Sequence, residues 1–417
     1  MGEWRETTLG EILGAKGYIR GPFGSSLKRN DMKSSGTPVY EQMHAIYGHR
    51  KFRFFVDDEK LGELSRFQVK PNDLIISCSG TVGRISTISN SDPKGIISQA
   101  LLILRPDTSL VRPQFLKYFL TSELGQHHLL SASHGSVQPN ISERKIVEKI
   151  PVDLPDPDTQ DLIVEVLSSL DDKIEILQHQ NKTLEQLAET LFRQWFVVNE
   201  LDETLTTTLG EQTTILRGLS YKGAGLTEQS DLLAVPMINL NSVFEGGHFK
   251  ESGTKYYNGD FKERHLIFPG DVFVTNTEQG HEHRLIGHAA IVPRSIGERA
   301  IFSQHVYRIV PKNNALTPAF LYHLFNHSPM RDQVIGATNG STVNMLSLEG
   351  LERCTFSLPD GERLTHFNTI SGDHQKKIEA NNEQIKTLAG TRDLILPKLM
   401  SGEIRVVEAA EQILETA

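Results

Sequence analysis

Leu170, Ile174, Leu177, Asn181, Leu184, Ala188, Leu191 and Trp195 follow one another at alternating steps of four and three residues, and neither Gly nor Pro interrupts the chain from Asp158 to Val198. A sustained seven-residue apolar repeat defines one face of a long helix that packs against another helix. Asp156 can cap the first turn and Pro157 suits the first helical position, so the helix is expected to start there. Adding 204 residues gives a second, weaker seam: His374, Ile378, Asn381, Ile385, Leu388, Arg392, Ile395 and Leu399. Gln180-x-Lys182-Thr183-Leu184 and Gln384-x-Lys386-Thr387-Leu388 fix that alignment. Pro397 is expected to end or kink the second helix. Asn181 and Asn381 put polar side chains into the seams, which costs stability and can set register.

The helices are not the only part that recurs. Thr7-Thr8-Leu9-Gly10-Glu11 returns as Thr207-Thr208-Leu209-Gly210-Glu211, Pro71-Asn72-Asp73-Leu74 as Pro269-Gly270-Asp271-Val272, and Ser98-Gln99 as Ser303-Gln304. Pro113-Gln114-Phe115-Leu116 answers to Pro318-Ala319-Phe320-Leu321, and Leu154-Pro155-Asp156 to Leu358-Pro359-Asp360. These offsets run from 198 to 205, so the two copies keep one order of elements with a short length change inside. Solenoid repeats run to roughly 20–50 residues, and this period is far longer. The chain is a duplicated domain.

Outside the helices both copies read as mixed α/β. Leu74-Ile75-Ile76-Ser77, Ile96-Ile97 and Ala100-Leu101-Leu102-Ile103-Leu104 have strand character, as do Val272-Phe273-Val274 and His305-Val306-Tyr307-Arg308-Ile309-Val310. Pro113 and Pro318 mark helix starts. The expected fold is α/β (α+β), with two similar globular domains separated by two long antiparallel coiled-coil helices about a pseudo-two-fold axis. The expected boundaries are 1–155 for the first globular domain, 156–200 for the central helix, 201–360 for the second domain and 361–417 for the C-terminal helix and tail.

Composition is that of an ordinary globular protein, with 38% hydrophobic and 23% charged residues. The start carries no signal-peptide core and no apolar run approaches the ~18 residues of a membrane span, so a cytoplasmic location is expected. Cys78 and Cys354 do not occupy matching positions, which argues against a disulfide framework. The net charge of −9 is unevenly spread. Residues 1–155 hold 20 Lys/Arg against 16 Asp/Glu, whereas 156–200 hold 3 against 10. The central helix therefore faces water or a protein, not phosphates. A nucleic-acid partner would draw much of its electrostatic attraction from another subunit.

No catalytic constellation stands out. The sequence has no phosphate-binding Gly-x-x-x-x-Gly-Lys-Ser/Thr loop, no dinucleotide fingerprint and no Asn/Asp-Pro-Pro-aromatic tetrapeptide of the amino-methyltransferases. His281-Glu282-His283 with His288 lacks the spacing that puts two imidazoles on one helical face, so no metal is expected there. Gly21-Pro22-Phe23-Gly24-Ser25 reads as a structural turn.

The duplicated frame and several local phrases resemble the DNA-specificity subunits of type I restriction-modification enzymes. The phrases are Leu9-Gly10-Glu11, Gly21-Pro22-Phe23-Gly24-Ser25-Ser26-Leu27, Gly135-Ser136-Val137-Gln138-Pro139-Asn140-Ile141-Ser142, Leu191-Phe192-Arg193-Gln194-Trp195-Phe196 and Leu396-Pro397-Lys398-Leu399-Met400-Ser401-Gly402. The second copy departs from the third of these with Gly340-Ser341-Thr342-Val343-Asn344-Met345-Leu346-Ser347. The resemblance implies a non-catalytic subunit with two target-recognition domains, each reading one half of an asymmetric bipartite site in double-stranded DNA. The paired helices, each ~60 Å long, would set the gap between half-sites and dock two modification (methyltransferase) subunits. Those partners would carry S-adenosylmethionine, and restriction motor-nuclease subunits would complete the complex. The alternative is the specificity chain of a system whose methyltransferase and nuclease are fused.

Base edges are read by side chains with paired donors and acceptors. The candidates are Gln42, His44, Arg50, Lys51 and Arg53 in the first copy, and Asn239, Asn241, Asn276, Gln279 and Arg284 in the second. The helix-pair and partner interface is expected at Leu170, Ile174, Leu177, Asn181, Leu184, Leu191, Trp195, Ile378, Ile385, Leu388 and Ile395.

Overall fold

The same four-stranded antiparallel sheet is built twice. In the first copy the spatial order is Leu13–Arg20, Leu101–Pro106, Leu74–Ser77 and Ile85–Thr87; in the second it is Thr213–Arg217, Val306–Pro311, Val272–Thr275 and Ala289–Ile291. These strands belong to a computed structural model, which describes residues 4–23, 26–131, 141, 143–198, 206–279, 282–314, 316–340 and 343–416. Most of the Gly135–Ser142 phrase, together with Gly24, Ser25, His281, Ser341 and Thr342, lies outside the described residues, as does the Gln279 side chain.

The chain divides into two compact units, 1–174 with 386–417 and 175–385. The cut falls inside both long helices, so each unit contains one globular copy and a length of each helix.

Strand residues alternate between two buried faces, which explains why these strands are apolar throughout instead of alternating with polar residues. In the second copy, Val272 and Val274 join Ile309, Phe320, Leu321 and Phe325 on one side. Phe273 points the other way, to Ala290, Phe302 and Val306. In the first copy Ile75 packs with Ile19, Ile97, Leu101 and Ile103. The helices that begin at Pro113 and Pro318 supply Phe115, Phe119, Phe320 and Phe325, all buried.

The repeated phrases are structural. Thr7 Oγ1 donates to Glu11 at 2.7 Å, and Thr207 Oγ1 to Glu211 at 2.7 Å. These hydrogen bonds hold both carboxyls below their usual pKa. The strand carrying each threonine pairs with the strand that precedes a long helix: Arg5–Thr8 with Pro151–Leu154, and Thr206–Thr208 with Thr355–Ser357. Ser98 and Ser303 sit where a second sheet meets the first, their amides donating to the Tyr40 and Ile238 carbonyls at 2.8 Å. A Cβ on Gly21 or Gly218 would come within 2.0 or 2.1 Å of those serines' carbonyl oxygens, so only glycine fits at either crossing.

Both long helices form. Asp156 accepts from the Asp158 and Thr159 amides, and Asp360 from those of Glu362 and Arg363, capping helices Pro157–Arg193 and Gly361–Met400. Pro397 does not stop the second helix at once; it lies in the last turn. Within the unit 175–385, Asn181 meets Asn381 and Trp195 meets His366. Ascending numbers on one helix thus meet descending numbers on the other, and the pair is antiparallel there. Leu177 and Ile378 are buried in the seam, and Leu184 and Ile385 half-buried. The seam ends differently from a simple coiled coil. The central helix finishes in a π turn, Gln194–Val198, and Leu191, Trp195 and Phe196 pack against the globular core with Phe320 and Phe367. In the other unit Leu170, Leu388 and Ile395 are buried, Ile174 is half-buried, and Arg392 reaches Asp171 at 2.8 Å.

Candidate nucleic-acid interface

In both copies the candidate stretch follows a strand that pairs in parallel with a short partner: Thr37–Tyr40 with Ile96–Ile97, and Val235–Ile238 with Ala300–Phe302. Each strand leads into a single tight helical turn closed by its own side chains. The Glu41 amide donates to His44 Nδ1 at 2.7 Å, and the Asn239 amide to Ser242 Oγ at 3.1 Å. Glu41–His44 and Asn239–Ser242 are therefore equivalent segments of the two copies, with Gln42 matching Leu240 and Met43 matching Asn241.

In the first copy, His44 is fully buried. Its Nε2 lies 2.9 Å from the Lys51 carbonyl and its ring stacks on Phe52 at 4.7 Å. Accepting at Nδ1 and donating at Nε2 selects one neutral tautomer, and burial lowers the pKa further from the charged form. Arg50 is also committed: it contacts Asp92 at 3.0 Å, Ser86 Oγ at 3.1 Å and the Gly48 carbonyl at 2.8 Å. These two residues shape the loop. Gln42 is half-buried and donates to the Ser79 and Thr81 carbonyls. Lys51 is exposed. Arg53, with its side chain 63% exposed, forks onto Glu41 at 2.7 and 3.1 Å, and those bonds raise its pKa. An exposed pair of this kind is worth little, so Arg53 can exchange Glu41 for another anion at small cost.

The second copy sorts in the same way. Asn239 is buried; its Oδ1 accepts from the Asn241 amide at 2.9 Å and its Nδ2 donates to the Gly253 carbonyl at 2.8 Å. Asn276 is buried and donates to the Gln304 carbonyl at 3.0 Å. Asn241 and Arg284 are exposed. Gln279 lies at the end of strand Thr277–Gln279, opposite Val343. Of the named residues, then, His44, Arg50, Asn239 and Asn276 are engaged within the fold by their own hydrogen bonds. Lys51, Arg53, Asn241 and Arg284 are presented outward.

Glu278, within the candidate stretch Thr275–Gln279, holds the backbone at Arg284 in place, a role its residue type does not announce. Glu278 is buried, and its carboxylate accepts the amides of Arg284, Leu285 and Ile286 at 2.8, 3.1 and 3.0 Å. Arg331 approaches the same loop and donates to the Ile286 and His283 carbonyls at 2.9 and 2.8 Å. Burial lowers its pKa, and the nearby Glu278 charge opposes that shift. A lone Glu and a distant Arg leave no pattern in a sequence; the only signal was the local length change. His288, from the histidine group noted above, is buried with Nδ1 against Asn326 at 3.0 Å.

The type I restriction modification DNA specificity domain matches this chain twice, over residues 1–186 and 209–387, and the chain belongs to that family. It is 25% identical to the specificity subunit of type I restriction enzyme HindI from Haemophilus influenzae, over 97% of this chain and all of that protein. It is 24% identical to the MjaIX specificity subunit from Methanocaldococcus jannaschii, over 71% of this chain and 70% of the other. The fold is shared with the crystal structure of a type I S subunit from M. genitalium, with a TM-score of 0.57 at 15% identity, covering 95% and 96% of the two chains. Among the described residues, no helix is long and apolar enough to cross a membrane.

Proposed function

We propose that the chain reads an asymmetric bipartite sequence in double-stranded DNA for a type I restriction-modification complex, one half-site per globular copy. The readers are residues 1–155 and 201–360, and the helical segments 156–200 and 361–417 act as the ruler for the gap. The observation that carries this reading is a matched frame with unmatched loops. The order of the four-stranded sheet, the crossing glycines and the Thr7–Glu11 and Thr207–Glu211 bonds recur, while the outward polar side chains stand at different places: Lys51 and Arg53 in one copy, Asn241 and Arg284 in the other. Two readers with one frame and different contact residues suit two half-sites of different sequence.

The chain does no chemistry in this reading. Two modification subunits dock on the helices, bring S-adenosylmethionine and methylate adenine, restriction motor-nuclease subunits complete the assembly, and all of this takes place in the cytoplasm. The relatives' shared description as specificity subunits supports that division of labour. The test is to express the full chain with its modification subunits and map methylated positions in host DNA. A two-part motif with unlike halves and a fixed gap is expected. Methyl transfer by the purified chain alone, or a single uninterrupted motif, would overturn the proposal.

A further inference from the structure

We infer that Glu278 is a positioning residue for a reading element peculiar to the second copy, the loop segment Glu282–Ile286, and that Arg284 is the side chain it presents to DNA; this rests on the DNA-reading function proposed above. The two copies are in step immediately before this loop and immediately after it. Ser77 and Thr275 end equivalent strands, and the amides of Gly83 and Gly287 return to their carbonyls at 2.9 and 2.8 Å. Gly83 and Gly287 also share a left-handed backbone, with φ of 82° and 78°. Between these fixed points the first copy has five residues, 78–82, and the second has eleven, 276–286. The largest length difference between the copies, six residues, therefore falls at this one place.

Inserted loops are normally loose, and the segment Glu282–Ile286 is bolted down. Glu278 takes three successive amides, Arg331 takes two carbonyls, and the Leu285 carbonyl accepts from Thr275 Oγ1. His283 is held at φ 50°, a conformation that non-glycine residues adopt only when the surroundings impose it. A carboxylate with 6% exposure has been placed under backbone amides, where it orders the loop without neutralising any outward charge. The one cation in the segment, Arg284, remains exposed. Its contacts to Glu282 at 2.6 Å and Glu245 at 3.7 Å are surface pairs that a nucleic acid can displace. Reading a base edge needs a guanidinium held in a fixed direction, and the buried clamp supplies that direction.

The test uses the full-length chain and DNA duplexes carrying its mapped target, with single-base changes in each half-site. Arg284→Ala removes the reading group without touching the clamp. Glu278→Gln keeps the size of the side chain but sets an amide hydrogen against the loop's N–H groups. Both variants are expected to lose discrimination by about tenfold or more at the same base positions in one half-site, with the other half-site read as in the natural chain. Thermal unfolding of Arg284→Ala should match the natural chain, which separates contact from folding. If Arg284→Ala discriminates at every position as before, the loop does not read DNA and the inference fails. If the two variants lose different positions, or Glu278→Gln weakens both half-sites alike, Glu278 is not positioning Arg284 and the inference also fails. Failure of the natural chain to distinguish the half-sites at all would overturn the proposed function instead.

Discussion

Asp73 closes the turn before its strand by accepting the Lys70 amide at 2.7 Å, and it binds Arg105 through both oxygens at 2.7 and 2.8 Å. Asp271 does the same with the Phe268 amide and with Arg308. The carboxylate of Asp73 is wholly buried, so removing Arg105 would leave its charge without a counter-ion, with only the Lys70 amide to bind it. We predict that Arg105→Ala destabilises the protein by about 2–4 kcal/mol, near the range for breaking a buried pair, measured by urea unfolding. His323 yields a second prediction at this scale. Burial against Phe192 and Phe367 pushes its pKa down to about 3, helped by nearby His248 and His327. The unfolded chain takes up that proton near pH 6.5, so the stabilisation is complete above pH 6.5 and is lost as pH falls toward the folded value. Acidifying from pH 7.5 to 5 should lower stability, and His323→Gln should remove roughly 1–2 kcal/mol of that loss. A variant with an unchanged pH profile would show that the imidazole is not held neutral.

At the scale of elements, the Asn181–Asn381 contact is the polar layer of the helix pair. Asn381 Nδ2 donates to Asn181 Oδ1 at 2.8 Å, and Asn181 Nδ2 to Asn382 Oδ1 at 2.8 Å, with Asn181 and Asn381 9% and 1% exposed. Replacing one by Leu removes the bond between them and leaves the other only its flanking partner, Asn382 or Gln180, at a cost of about 1–2 kcal/mol; replacing both should cost less than the sum of the single changes. A double-mutant cycle that adds without coupling would deny that the two form one layer. The helices were legible because a heptad is written directly in residue types, and the duplication was legible because the Thr-Thr-Leu-Gly-Glu turns leave identical phrases. Which of the candidate side chains stay outward was only half legible. His44, Asn239 and Asn276 have the donors and acceptors that suit base edges, and the same groups suit a buried cap. Only burial separates the two uses, and burial is fixed by which segments the fold stacks above them. Glu278 shows the converse, since a side chain that bonds only backbone demands no particular residue type in return.

At the scale of the molecule, the account requires the helical segments to measure and the two copies to read. Inserting four residues near Asn181 and four near Ile385 should lengthen the recognised gap by ~6 Å, roughly two base pairs. An unchanged gap in the methylated motif would remove the helices from the role of spacer. If the two readers act independently, exchanging one of them alters only its own half-site. Residues 1–155 would be replaced by the corresponding segment of a family member with a different target, and methylated positions mapped in cells expressing the hybrid with its modification subunits. The account predicts a motif with one half-site changed, the other half-site retained and the gap unaltered. A motif changed in both halves, or in neither, would contradict it.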